Sequence, residues 1–277
     1  MQTVAIIGVG LIGGSFGLAL KKAGFGGSIL GVSSAATIKA AVERGAIDEG
    51  LALAEAAARA DLIYLAQPIG RILDTLRKID DLVRPGTLIT DAGSTKVSIV
   101  AAARLHLRRA GFLGGHPMAG KERRGVAEAD ADLFRGRTYV LTPEEPQMLD
   151  IPVAVEFVDW IRRIGAVPVV LNAQEHDRVV SFTSHLPQLV ATALAATVAE
   201  HAGDNLSVAG PGLRDSTRLA LSSFELWRDI LATNSGPIEQ ALAAYISKLE
   251  HLRENLRTRE IEGEFEIAAA LAATLRK

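Results

Sequence analysis

Along the first 171 residues, short apolar runs recur at 4–7, 29–32, 62–66, 88–90, 112–114, 139–141 and 167–171. Between them lie longer stretches in which apolar positions return every three or four residues, as at 36–44 and 54–59. Runs too short for helices, alternating with crossovers long enough to contain one, predict βαβ units and a mostly parallel sheet. Pro85-Gly86 marks a turn within this pattern. Beyond residue 171 the texture changes, since only 5 of the 26 glycines lie there and no strand-like run is evident. Apolar residues fall at helical spacing over 174–200, 222–232 and 237–257, joined by a glycine-bearing segment at 203–217. The pattern therefore predicts a doubly wound α/β domain over residues 1–171 and an all-helical second domain over 172–277.

Composition narrows the classes of function. A length of 277 residues suits two units, and a net charge of −2 from 30 basic and 32 acidic residues gives no field to attract nucleic acid or an anionic membrane. The absence of cysteine excludes disulfides, thiolate nucleophiles and Cys-ligated metals. No two of the six histidines stand three or four positions apart, so no metal site is expected. The N-terminal segment lacks a basic n-region and cleavage site, and the apolar runs are broken by charges well short of the roughly 20 residues of a spanning helix. A soluble, cytoplasmic protein is expected. The Leu- and Ala-rich second half carries more apolar face than it can cover alone, which predicts a homodimer through it; a helical cap packed on its own sheet is the alternative.

The first run leads straight into Gly8-Val9-Gly10-Leu11-Ile12-Gly13-Gly14-Ser15 and then a helical pattern. Glycines at this spacing allow a tight turn (Gly8), approach of backbone to a pyrophosphate (Gly10) and close helix-to-strand packing (Gly13), while the amides of Leu11 and Ile12 open the helix. The helix N-terminus adds free N–H donors and a positive dipole end. This is the arrangement of a Rossmann-type, dinucleotide-binding fold. The second run ends at Ser33-Ser34, where an acidic residue would hold the ribose hydroxyls of NAD. With no carboxylate there to repel a 2′-phosphate, the choice between NAD and NADP leans slightly to NADP, although no arginine stands at the strand end.

Four polar segments carry the candidate chemistry. Asp91-Ala92-Gly93-Ser94-Thr95-Lys96 ends the fourth run, where open α/β sheets place ligands, or else is a helix start capped by Ser94 or Thr95. Gly114-Gly115-His116-Pro117-Met118-Ala119-Gly120-Lys121-Glu122 sets a histidine between glycines and a proline, which predicts an imidazole on a loop at the carboxyl edge of the sheet. Its ordinary pKa near 6.5 suits a general base. Ser184-His185-Leu186-Pro187-Gln188 lies inside an apolar helix that Pro187 should kink, with His185 either a ligand or a buried core residue. Arg214-Asp215-Ser216-Thr217-Arg218, with Trp227 beyond it, offers guanidinium groups for a carboxylate or for surface pairing with Asp215.

Taken in order, these segments resemble the prephenate/arogenate dehydrogenase family of tyrosine biosynthesis over essentially the whole chain. The glycine turn, DxxSxK at 91–96, GGHPMAGxE at 114–122, SHLPQ at 184–188 and RDxTR at 214–218 match it. The resemblance implies oxidative decarboxylation of prephenate to 4-hydroxyphenylpyruvate, or of arogenate to tyrosine, with hydride transfer to NAD(P)+. It implies His116 as catalytic base, Ser94 as its hydrogen-bonding partner near the nicotinamide, Arg218 as the substrate-carboxylate ligand and His185 as a further substrate contact. It places Glu122, Asp215 and Trp227 around the pocket mouth or dimer contact, and implies neither an appended chorismate mutase nor a C-terminal regulatory module. Two readings stay beside it. Another two-domain reductase of the β-hydroxyacid dehydrogenase type would depend on a lysine in the helical half, for which Lys248 is the one interior candidate. A dinucleotide sensor without chemistry would not need His116, Ser94 or Arg218.

Overall fold

The structure, a computed structural model, describes residues 1–121, 123–203 and 205–276. The elements run β1 (Thr3–Ile7), α1 (Leu11–Lys22), β2 (Ser28–Val32), α2 (Ala35–Glu43), β3 (Glu49–Gly50), α3 (Leu53–Arg59), β4 (Leu62–Leu65), α4 (Ile69–Ile79), β5 (Leu88–Asp91), α5 (Val97–His106), β6 (Gly111–Pro117), β7 (Thr138–Thr142), α6 (Pro152–Arg163) and β8 (Val167–Val170). Six α-helices follow among the described residues of the second half: α7 (Ala173–Val180), α8 (Leu186–His201), α9 (Pro211–Thr217), α10 (Phe224–Thr233), α11 (Ser235–Glu254) and α12 (Glu262–Leu275), with a π-helical turn, Ser181–His185, between α7 and α8.

The eight strands form one sheet in the order β3-β2-β1-β4-β5-β6-β7-β8. All neighbours are parallel except β6 and β7. The order reverses between β1 and β4, where a doubly wound sheet opens a crevice at its carboxyl ends. The central strands β1, β4 and β5 are almost wholly buried because helices cover both faces, which explains why they read as continuous apolar runs. One face packs Phe16, stacked on Tyr64 with ring centroids 4.1 Å apart, against Phe134, Tyr139 and Phe157. The other face packs Ile63, Leu65 and Ile89 against Ile69, Ile72, Leu76 and Ile79, the buried stripe of α4.

The expected fold class is the observed one, with three local differences. β3 is a two-residue edge pairing of Glu49 and Gly50 with β2, too short and too polar to leave a periodic trace. α12 lies beyond the last expected helix, and none of its residues is buried. The run 173–201 is continuous enough to cross a bilayer by length and composition, 29 residues with mean hydropathy 1.3 in its most apolar stretch, contrary to the expectation that no such run exists. Its buried positions are nonetheless largely polar: His176, Asp177, Ser181, His185 and Gln188 face inward, toward the sheet domain and the neighbouring helices. Pro187 restarts the helix in the first turn of α8, directly after the π-helical turn, as its missing N–H and fixed φ require.

Candidate active site

The glycine turn shows why each glycine stands where it does. Gly8 has φ +96°, and a Cβ there would lie 2.5 Å from the Ala66 carbonyl oxygen; a Cβ on Gly13 would lie 2.2 Å from the Gly8 oxygen. Gly10, by contrast, faces open space. Gly10 is also the N-cap of α1, with no side-chain cap and no acidic residue in the first turn, so the amides that follow remain available to an anion. These features fit a dinucleotide pyrophosphate: an open cradle, uncapped donors and a positive helix end.

Gly10, Leu11 and Ile12 line a cavity of about 660 Å³ together with Gly93, Ser94 and His116. The opposite wall comes from the helical half through Leu221, Ser222, Ser223, Leu226 and Ile230, and the rim carries Lys121, Arg123 and Arg124. Ser33 is exposed at the end of β2 and lies outside this cavity. Ser34 is committed locally: its hydroxyl oxygen caps α2, accepting from Thr37 N at 3.3 Å, and it shares a 2.9 Å hydrogen bond with the Thr37 hydroxyl.

His116 is not on a loop, as its glycine and proline neighbours suggested. It is the sixth residue of β6, opposite Val140, and is only 8% exposed. The antiparallel arrival of β7 extends β6 through Pro117, and the glycines are the condition for it. A Cβ at Gly115 would lie 2.5 Å from the Asp91 carbonyl oxygen, and one at Gly114 would lie 2.2 Å from Thr142 Oγ1. The DxxSxK segment also departs from the capping role considered for Ser94 and Thr95. The Thr95 hydroxyl is 2.7 Å from that of Thr233, and the main-chain N–H groups of Lys96 and Val97, at the start of α5, donate to Asp177 Oδ1 (2.7 Å) and Oδ2 (2.9 Å). Ser94 lines the cavity beside His116, but the hydrogen bond that holds the imidazole comes from elsewhere: His116 Nδ1 is 2.8 Å from His176 Nε2.

A buried polar centre surrounds these groups. Lys96 and Asp91 are fully buried; the ammonium is paired with the Asp91 carboxylate and donates to the Gly115 carbonyl at 2.8 Å. Burial pushes Lys96 down from its ordinary value, and Asp91 opposes that shift. Burial, then the neighbouring His176, Lys96 and His185, hold His116 well below the ordinary imidazole value. Burial brings His185 down to about 4, against the pull of Asp177. The His185 ring meets Trp227 edge-on at 5.8 Å, and its Nδ1 is 3.2 Å from Asn234 Nδ2, which also donates to the Asp177 carbonyl. The buried Trp227 Nε1–H has no acceptor among the described residues.

The site therefore brings together Gly10, Leu11, Ile12, Ser94 and His116 in one cavity, whereas His185 and Trp227, packed on each other, do not line it. Arg218 and Asp215 are exposed and do not line the cavity; Arg218 begins the 3₁₀ turn, Arg218–Leu221, whose last residue does. Glu122 lies outside the described residues. His176 and Asp177 were missed from the sequence, because a histidine and an aspartate in the first turns of an amphipathic helix look like its solvated face. A free-standing signal existed only in their position directly after the last strand.

Comparisons with known proteins place this geometry in a family. Residues 16–162 match the prephenate dehydrogenase nucleotide-binding domain and residues 172–273 the prephenate dehydrogenase dimerization domain. The prephenate dehydrogenase of Lactococcus lactis is 37% identical over 240 residues, 84% of this chain, and that of Bacillus subtilis 35% identical over 276 residues, 95% of this chain. The matched part spans 65% of the Lactococcus relative's length and 72% of the Bacillus relative's. The crystal structure of the Aquifex aeolicus prephenate dehydrogenase in complex with hydroxyphenyl propionate and NAD+ superposes with a TM-score of 0.87 at 31% identity, covering 100% of this chain and 97% of that one. The chain belongs to the prephenate dehydrogenase family, with a nucleotide-binding domain followed by a dimerization domain.

Proposed function

We propose that this chain converts prephenate to 4-hydroxyphenylpyruvate and carbon dioxide while reducing a nicotinamide dinucleotide. The observation that carries the reading is that an imidazole, His116, and the open glycine turn of a dinucleotide fold line the same cavity. The bound nicotinamide supplies the acceptor for a hydride leaving C4 of the ring. His116 removes the C4 hydroxyl proton as that hydride departs, and Ser94 orients the same hydroxyl. Loss of the C1 carboxylate as carbon dioxide then aromatises the ring, and the phenolate oxygen recovers the proton, so no net proton is consumed. Gly8, Gly10, Leu11, Ile12 and Gly13 hold the pyrophosphate. His185 and Trp227 support the substrate side of the pocket.

Arg218 is the proposed ligand for the substrate carboxylate, supported by its position at the head of the turn that reaches the cavity wall. Arg218→Ala is expected to raise the prephenate KM by about 2 kcal/mol, roughly thirtyfold, the lower end of the cost of removing one partner of a charge pair, with little change in kcat. An unchanged KM would assign the carboxylate to the rim cations Lys121, Arg123 or Arg124 instead.

The cofactor choice leans to NADP, since the exposed Ser33 puts no carboxylate against a 2′-phosphate, although Ser34 is partly engaged in capping α2. The chain is further proposed to work as a homodimer through its helical half. Support comes from the dimerization-domain match and from α12, where Phe265, Ile267, Leu271 and Leu275 are each more than 60% exposed. Steady-state kinetics on prephenate and arogenate, each with NAD+ and NADP+, test the whole reading. Prephenate with NADP+ should give the highest kcat/KM; turnover of neither acid would refute the activity, and a large preference for NAD+ would refute the cofactor lean.

A further inference from the structure

Resting on that reading, we infer that His176 and Asp177 are positioning residues: together they fix His116 as the tautomer with its proton on Nδ1, leaving the Nε2 lone pair as the base. The inference follows from the order of donors and acceptors in one buried chain. Both Asp177 oxygens accept main-chain N–H bonds, from Lys96 at 2.7 Å and Val97 at 2.9 Å. A carboxyl group receiving donors at both oxygens acts as an acceptor toward its third neighbour, His176 Nδ1, at 2.7 Å from Oδ1. His176 Nδ1 must then carry that ring's proton, which leaves its Nε2 as the acceptor. His116 Nδ1, 2.8 Å away, is thereby the donor. Each link is closed to water, since His176, Asp177 and His116 are 0%, 1% and 8% exposed.

The alternative tautomer, with the proton on Nε2, would point an N–H at the substrate hydroxyl and could not accept its proton. It would also set two lone pairs against each other across the His116–His176 gap. The main-chain amides at the start of α5 thus decide, through three side-chain groups, which nitrogen of His116 is basic. Neither His176 nor Asp177 belongs to the glycine-turn motif or to the polar segments that carry the resemblance. His176 and Asp177 come from α7, the first helix of the second half, so the base on β6 is competent only when the helical half is docked. When His116 takes the hydroxyl proton at Nε2, its Nδ1–H remains directed at His176, and the Asp177 carboxylate lies one ring further along to offset the positive charge.

The test uses the full-length protein in two ways. In ¹⁵N-histidine NMR spectra of the wild type, with His116 assigned by its loss in His116→Asn, the ring should show the proton on Nδ1. A His116 ring protonated on Nε2 overturns the inference without reference to any substrate. In kinetics, His176→Leu removes the acceptor and should lower kcat by roughly 10²-fold or more, the scale seen when a catalytic histidine is left in the wrong tautomer, with the dinucleotide KM unchanged. His176→Gln, whose carbonyl can accept from His116 while its amide donates to Asp177, should recover most of that loss. Wild-type turnover in His176→Leu, or equal impairment in the Leu and Gln variants, would reduce His176 to a packing residue. A wild type that turns over neither prephenate nor arogenate would sink the proposed activity, whereas the tautomer seen by NMR would still decide the relay.

Discussion

Replacing His116 by asparagine is expected to lower kcat by roughly 10²–10⁴-fold, the usual worth of a positioned general base, while dinucleotide binding stays intact. The separation is expected because the imidazole shares the cavity with the glycine turn but belongs to β6, and asparagine keeps a polar group of similar reach against Val140 and Pro117. The same group sets the pH dependence. His116 is held below the ordinary imidazole value, chiefly by burial, so it is neutral at pH 7 and competent to accept a proton. Activity governed by it is present above its depressed pKa and is lost as the pH falls through it. The acid limb of kcat/KM should accordingly lie below about pH 6.5, and it should vanish in His116→Asn. Near-normal turnover in that variant, or an acid limb above 6.5 in the wild type, would remove His116 from the role of base.

The second large effect is on stability. Lys96→Met is expected to destabilise the fold by about 3–5 kcal/mol, because it leaves the Asp91 carboxylate buried beside an apolar chain. Asp91 keeps its hydrogen bonds from Gly93 N (2.8 Å) and Gly115 N (3.1 Å), which soften the loss without replacing the cation. The Gly115 carbonyl loses its donor as well, and Gly115 is the residue next to His116. Denaturant titration should show a lower midpoint, and a double replacement of Lys96 and Asp91 by Met and Leu should recover a good part of it. A midpoint equal to wild type in Lys96→Met would mean that the pair contributes nothing once its desolvation is counted.

Most of the sheet was readable in advance, since strands buried on both faces leave uninterrupted apolar runs and the crossovers between them hold amphipathic helices. The glycine turn was readable for a different reason: Gly8 and Gly13 stand where any side chain would strike backbone. His116 was located but given the wrong setting. Its neighbours read as loop residues until β7 is seen to pair antiparallel with β6, and a reversal of strand direction leaves no trace in hydrophobic period. The relay failed to appear for a related reason. Nothing local to Ala173–Val180 distinguishes a histidine and an aspartate facing a strand some 60 residues earlier from the polar stripe of an ordinary helix. Arg218 marks the opposite limit: its motif was conspicuous, but whether it reaches the cavity depends on how a short 3₁₀ turn is aimed, which no spacing rule specifies.

The carboxylates that cap helices from across the chain bear on how this molecule moves. Asp177 of α7 caps α5, and Asp229 of α10 accepts from the Gly70 main-chain N–H in the first turn of α4 at 2.9 Å. Two rivets of this kind, one buried and one at the rim, join the dinucleotide half to the helical half at the starts of the neighbouring helices α4 and α5. Swinging the halves apart as rigid bodies would strip both helix starts of their acceptors at once. Ligand entry is therefore left to side chains at the cavity rim, such as those of Lys121, Arg123 and Arg124, while the jaw itself stays at a set width.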